Sequence, residues 1–199
     1  MRYILVILAF FLFLGCSTTL PPKSEYRLSP DIAIKKLSAD SCKDKSLKVA
    51  QAFSTSTLMS RDMSYGLGNS KQYIYSESQW ASTPNRAITA EFLKLLRDSK
   101  LFKSVQISKS RSKNDFILEI NIEDFMQYFN KQSSASFAKI SISLTLIDAK
   151  TNKVFATQTF RTKLDVETLD ANGGVSGLNR ALSEVLSQSN IWIAGVCKW

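Results

Sequence analysis

Catalysis in a small chain needs groups that move protons, attack carbon or hold a metal, and this chain has few. Its 199 residues include three cysteines, 17 acidic side chains and no histidine. Without histidine there is no Ser-His-Asp or Cys-His arrangement and no imidazole base or ligand. Paired carboxylates remain. Glu119 and Glu123 stand four apart in an alternating stretch, which puts them on one face of a strand and Asp124 on the other. Two acids on one face could hydrolyse a glycosidic bond, but acids that alternate with greasy residues also describe the wet side of a strand. Gly66 to Lys71 (GLGNSK) misses the phosphate-loop spacing and reads as a hairpin turn. Gly173-Gly174 ahead of a helix reads equally as an anion cradle or a flexible lead-in. No metal or cofactor is expected.

The one residue whose surroundings point to a definite reaction is Cys16. Arg2 precedes an unbroken apolar run from Tyr3 to Leu14, closed by Gly15-Cys16 and followed at once by STTLPPKS. A membrane-crossing helix needs roughly 20 apolar residues. This run is shorter and suits the hydrophobic region of a secretory signal. Leu14-Gly15-Cys16 resembles the lipobox of bacterial lipoproteins, with Phe13 where leucine is usual. The resemblance implies removal of residues 1–15 and acylation of Cys16, a covalent lipid such as palmitate being the only attached group. Residues 16–24 then form a polar, proline-stiffened tether. Several buried acyl chains at ~0.8 kcal/mol per CH₂ would hold the protein firmly on a membrane. Ser17, where aspartate would favour the inner membrane, implies the outer membrane.

Lys and Arg total 26, for a net charge of +9. Losing residues 1–15 removes only Arg2 among the charged residues, so the mature chain stays basic. The cations are dispersed, with short clusters at Lys35-Lys36 and Lys109 to Lys113. No RNA-binding aromatic signature accompanies them, and an envelope location takes nucleic acid off the partner list. Cys42 and Cys197 would be the remaining thiols. In an oxidising compartment they form either a disulfide that ties down the C-terminus or two free thiols.

Period shifts divide residues 25–199, a single domain, into strands and helices. Ser46 to Phe53 alternates Leu47, Val49, Gln51 and Phe53, which predicts one half-buried strand. Met63 to Leu67 and Gln72 to Ser76 flank a turn at Gly68-Asn69. Thr83 and Pro84 open an amphipathic helix with Ile88, Phe92, Leu95 and Leu96 on one stripe. Leu101 to Ser108 returns to strand. Phe116, Leu118, Ile120 and Ile122 alternate with polar residues, as do Ile140, Ile142, Leu144 and Leu146, and a further strand starts at Val154. Val175, Leu178, Leu182, Val185 and Leu186 mark a second helix. The expectation is an α+β domain: a twisted, mostly antiparallel sheet with two amphipathic helices packed on one face.

Tyr65, Tyr73, Tyr75 and Trp80 form an aromatic stretch that could be a partner-binding surface or sheet core. Phe125, Met126, Tyr128 and Phe129 form a second candidate patch. The order of features resembles the ABC-type transport auxiliary lipoprotein family, including its paraquat-inducible protein C type. The residues that carry this are Tyr26-x-Leu28, the Y-x-Y-x-E-x-x-W-A run from Tyr73 to Ala81, Leu101-Phe102-x-x-Val105, and the D-F-I-L-E-I block from Asp115 to Phe125. The likeness runs from Tyr26 to Ile193. It implies a non-enzymatic, periplasm-facing accessory of an MCE-type transporter for phospholipids or other hydrophobic molecules. Its partners would be the MCE substrate-binding protein, the ABC permease and its ATPase, and a ring of copies is one possible form. Other small α+β lipoproteins activate peptidoglycan synthases or join secretion channels, which is the alternative reading.

Overall fold

The computed structural model describes residues 22–33, 37, 41–68 and 70–198. Its strands are β1 (Ser24–Tyr26), β2 (Ser46–Val49), β3 (Phe53–Ser54), β4 (Asp62–Leu67), β5 (Lys71–Trp80), β6 (Ser104–Ile107), β7 (Phe116–Phe129), β8 (Ser136–Asp148) and β9 (Lys153–Asp165). The helices are α1 (Pro84–Ser99) and α2 (Ala171–Val196). All nine strands join one sheet. The long β7, β8 and β9 form the antiparallel meander that their alternation predicts. Short strands line the other edge of β7 one after another. β2 runs beside Phe116 to Leu118, β3 beside Asn121 and Ile122, and β4 beside Gln127 to Phe129, each parallel to β7. β6 extends the sheet beyond β2, and β5 then β1 extend it beyond β4. The α+β class holds, with parallel pairs on one side of the sheet.

Ser46 to Phe53 is therefore two strands, not one. At the break, helix α1 supplies what the ladder does not. Ala52 N–H donates to Thr89 Oγ1 at 2.9 Å, and Asn85 Nδ2 donates to the Ala52 carbonyl at 3.3 Å. Buried backbone groups need such partners. The kink reverses the alternation, so Ala52 is buried and Phe53 is 68% exposed. Phe53 leaves the face it was expected to share with Leu47 and Val49.

A second phase change lies in β7. Ile122 pairs with Ile142 but Asp124 with Ser141, so Glu123 is an extra residue. A bulge of this kind places two successive residues on one side of the ladder. Glu123 and Asp124 both face the helix-free side, which corrects the expectation that Asp124 points away. Phe125 then falls into the core, at 3% exposure, so it is not surface.

Both helices cover the face carrying Leu118, Ile120, Ile140, Ile142 and Leu144, in one continuous core. α1 starts with Pro84 at its first turn and ends at Lys100 in the left-handed region (φ 56°). α2 begins earlier than its apolar stripe suggests, because the Asp170 carboxylate accepts from Gly173 N–H at 2.8 Å and caps it. Gly173 and Gly174 are thus helical, not a flexible lead-in. Gly177 lets the helix approach β8: a Cβ there would lie 2.3 Å from Val166 Cγ1 and 3.0 Å from Ala138 Cβ. Gly177→Val should cost about 1–3 kcal/mol by overpacking. Urea unfolding would show it, and wild-type stability would mean the helix can move away freely.

Candidate functional site

Tyr65 is the hub of the aromatic stretch. It lies opposite Tyr73 on β5 and Gln127 on β7. Its ring is 5.6 Å from Tyr73, 4.5 Å from Tyr75 and 5.4 Å from Phe129, centroid to centroid. Beneath the rings runs a buried polar chain. Tyr75 Oη donates to Gln127 Oε1 at 2.8 Å, and Gln127 Nε2 donates to Ser136 Oγ at 2.9 Å. Gly174 makes room for it, since a Cβ there would sit 2.2 Å from Gln127 Oε1. Burial, and the negative charge of Asp170, push the Tyr75 hydroxyl well above its ordinary pKa, so it stays a donor. Tyr73 is 42% exposed and forms the outer rung. Aromatic side chains stacked on a rigid sheet offer a large contact area at small entropic cost, as interface anchors do.

Trp80 does not join them. It is 4% exposed and packs on Phe125 at 5.9 Å, so among the four it serves the core. Two residues of this neighbourhood were not singled out as site residues in the sequence. Gln127 sits in an apolar phase of β7, and a polar residue there was the available signal. Asp170 is recognisable only as a helix cap.

The helix-free face is polar. Glu123 accepts from Ser141 Oγ at 2.7 Å and from Ser143 Oγ at 2.6 Å, with Arg161 at 3.7 Å. These hydroxyls hold its carboxyl below the ordinary range. A glycosidase acid needs a raised pKa, and Glu123 has the opposite. Asp124 accepts from Tyr128 Oη at 2.9 Å and pairs with Lys139 at 2.9 Å. Asp115, Asp148 and Asp170 are also lowered, chiefly by backbone N–H donors from Ser46, Thr151 and Gly173. A depressed folded-state pKa gives stability that is present above the unfolded value and lost as pH falls through the folded one. Stability should therefore be level at neutral pH and decline below about pH 4. Asp170→Asn should flatten part of that decline in acid-unfolding curves, and an unchanged curve would contradict the cap's contribution.

Cys42 and Cys197 are bonded, with Cα atoms 5.2 Å apart across a separation of 155 residues. Ser41 reinforces the closure, donating its N–H at 3.1 Å and its Oγ at 2.5 Å to the Cys197 carbonyl. Cys16 lies outside the described residues, as do Lys35-Lys36 and Asn69. Among the described residues no cluster of three or more Cys, Asp or Glu side chains could hold a metal ion.

The fold is a mixed sheet roofed by two helices, closed by a disulfide and carrying a tyrosine ladder on β4 and β5. Residues 26–188 match the model of the ABC-type transport auxiliary lipoprotein component, and the chain belongs to that family. The sequence matches no curated protein. Among solved structures, protein XCC0632 from Xanthomonas campestris superposes with a TM-score of 0.78 at 17% identity, covering 87% of this chain and 95% of that one. An uncharacterized protein gives 0.61 at 15% identity over 87% and 97%. The hypothetical protein CT253 from Chlamydia trachomatis gives 0.52 at 8% over 78% and 98%. At such identities the superpositions speak for the fold. Family membership makes this a lipoprotein of the cell envelope that serves ABC-type transport. No helix among the described residues is long and apolar enough to cross a membrane.

Proposed function

We propose that this protein is a non-enzymatic accessory of an MCE-type transporter that moves phospholipids or other hydrophobic molecules across the envelope. Residues 1–15 are its signal, residues 16–24 the acylated Cys16 and tether, and residues 25–199 the docking domain. It faces the periplasm from the outer membrane. The observation that carries this reading is the family match across nearly the whole docking domain, from residue 26 to 188. Tyr65, Tyr73 and Tyr75 supply the partner contact, since Tyr73 is exposed and the half-buried Tyr65 and Tyr75 back its ring. Purification of the tagged protein from its own membranes in mild detergent tests the assignment. The expected co-purifying chains are an MCE protein, its permease and its ATPase. Recovery of a peptidoglycan synthase or a secretion channel instead would replace this reading with the other class of lipoprotein.

A further inference from the structure

The opposite end of the domain from the tyrosine ladder carries a different surface. The β8–β9 turn is a stiff tip: Asp148 Oδ1 accepts from Lys150 N–H at 2.9 Å, Thr151 N–H at 2.8 Å and Thr151 Oγ at 3.0 Å. Just past the tip the ladder slips. Ile147 pairs with Val154 but Leu146 with Ala156, so Phe155 is an extra residue. The slip leaves two apolar residues in succession uncovered, Val154 at 61% and Phe155 at 49% exposure. Phe155 also walls a groove of about 490 Å³ whose other side is Trp192, Gly195 and Val196 of α2. A Cβ built at Gly195 would meet nothing within 4 Å. Ile191, on the same end of α2, is 52% exposed.

Lys150 and Lys153 flank this apolar tip, and further cations stand on the other connections at the same end. The connections that meet at this end of the sheet carry Lys45, Lys103, Arg111, Lys113, Lys150 and Lys153. Against them stand Asp44, Asp115 and Asp148. Asp115 is held by Ser46 and Asp148 by its own turn, while Lys150 reaches Asp115 only at 3.6 Å and stays largely exposed. The far end, where β9 passes into α2, carries Asp165, Glu167 and Asp170 together with Lys71, Lys131, Lys163 and Arg180, so its charge is mixed.

We infer that this end docks on an anionic lipid surface, with Val154 and Phe155 entering the headgroup layer, Trp192 beside them, and the flanking lysines on lipid phosphates. A convex tip with apolar residues at its point and cations beside it fits a lipid surface, which demands charge and depth but no shape. Aromatic rings next to lysines are the side chains that settle at headgroup level. The inference uses neither the Cys16 anchor nor the transporter reading.

The test uses the full chain with an environment-sensitive fluorescent amino acid at position 154. The protein is added to vesicles of phosphatidylcholine alone or of phosphatidylcholine with phosphatidylglycerol, both carrying brominated lipid. The probe reports the tip even if an anchor holds the protein on both vesicles. The expected result is a blue shift and bromine quenching on the anionic vesicles only, reversed by high salt. Lys150→Gln with Lys153→Gln should weaken the response about thirty-fold. Phe155→Ser should reduce quenching while the far-ultraviolet spectrum stays that of the folded protein. A probe that stays in water on both vesicles would overturn the inference. So would one shielded only in native membranes, because a protein partner would then be the occupant.

Discussion

Replacing Cys42 and Cys197 together by alanine should lower the unfolding free energy by about 2–5 kcal/mol. For a chain of this size that corresponds to a fall in Tm of roughly 4–20 °C. The bridge spans 155 residues, so it removes much of the freedom of the open chain. It also fixes the end of α2, whose last turn would otherwise fray. Both cysteines are buried, at 2% and 0% exposure, so alanine in their place leaves no polar group stranded. Denaturant titration of the double variant measures the loss directly. A change below about 1 kcal/mol would mean that Ser41 and the surrounding core hold the terminus without the bond.

Cys16→Ser should abolish the acylation proposed for this residue, because an alcohol does not replace a thiolate nucleophile. The variant should persist as an uncleaved precursor or leave the membrane, while its docking domain keeps wild-type stability. Metabolic labelling with a radioactive fatty acid, followed by membrane fractionation, distinguishes the outcomes. Normal labelling of the serine variant would remove the anchor from this account. The two variants separate the protein's parts: one should unsettle the fold and spare the anchor, the other the reverse.

Much of the fold was legible because its periods are clean. β7 and β8 alternate over long stretches, and the stripe of Ile88, Phe92, Leu95 and Leu96 reads only as a helix. The misreadings fall where the period slips by one residue. At Ala52, side chains of α1 satisfy the backbone in place of a strand, and nothing local announces that. At Glu123 a bulge moves the side chains that follow to the opposite face, and period-two patterning is blind to an inserted residue.

The site was less legible than the fold. An aromatic-rich stretch could be interface or core, and it is divided between them: Tyr73 is exposed and Trp80 is buried. Alternation alone could not separate them, because burial depends on where β5 outruns its neighbours. The exposed Val154-Phe155 pair was hidden for the same reason, since it begins what reads as an ordinary strand.

The central claim is that the tyrosine ladder engages an MCE protein. A photo-crosslinking amino acid at position 73, activated in living cells, tests it most directly. Mass spectrometry of the crosslinked product should identify the MCE substrate-binding chain, with the same probe at the buried position 80 giving none. Capture of a peptidoglycan synthase or a secretion channel at position 73, with no MCE chain, would contradict the account.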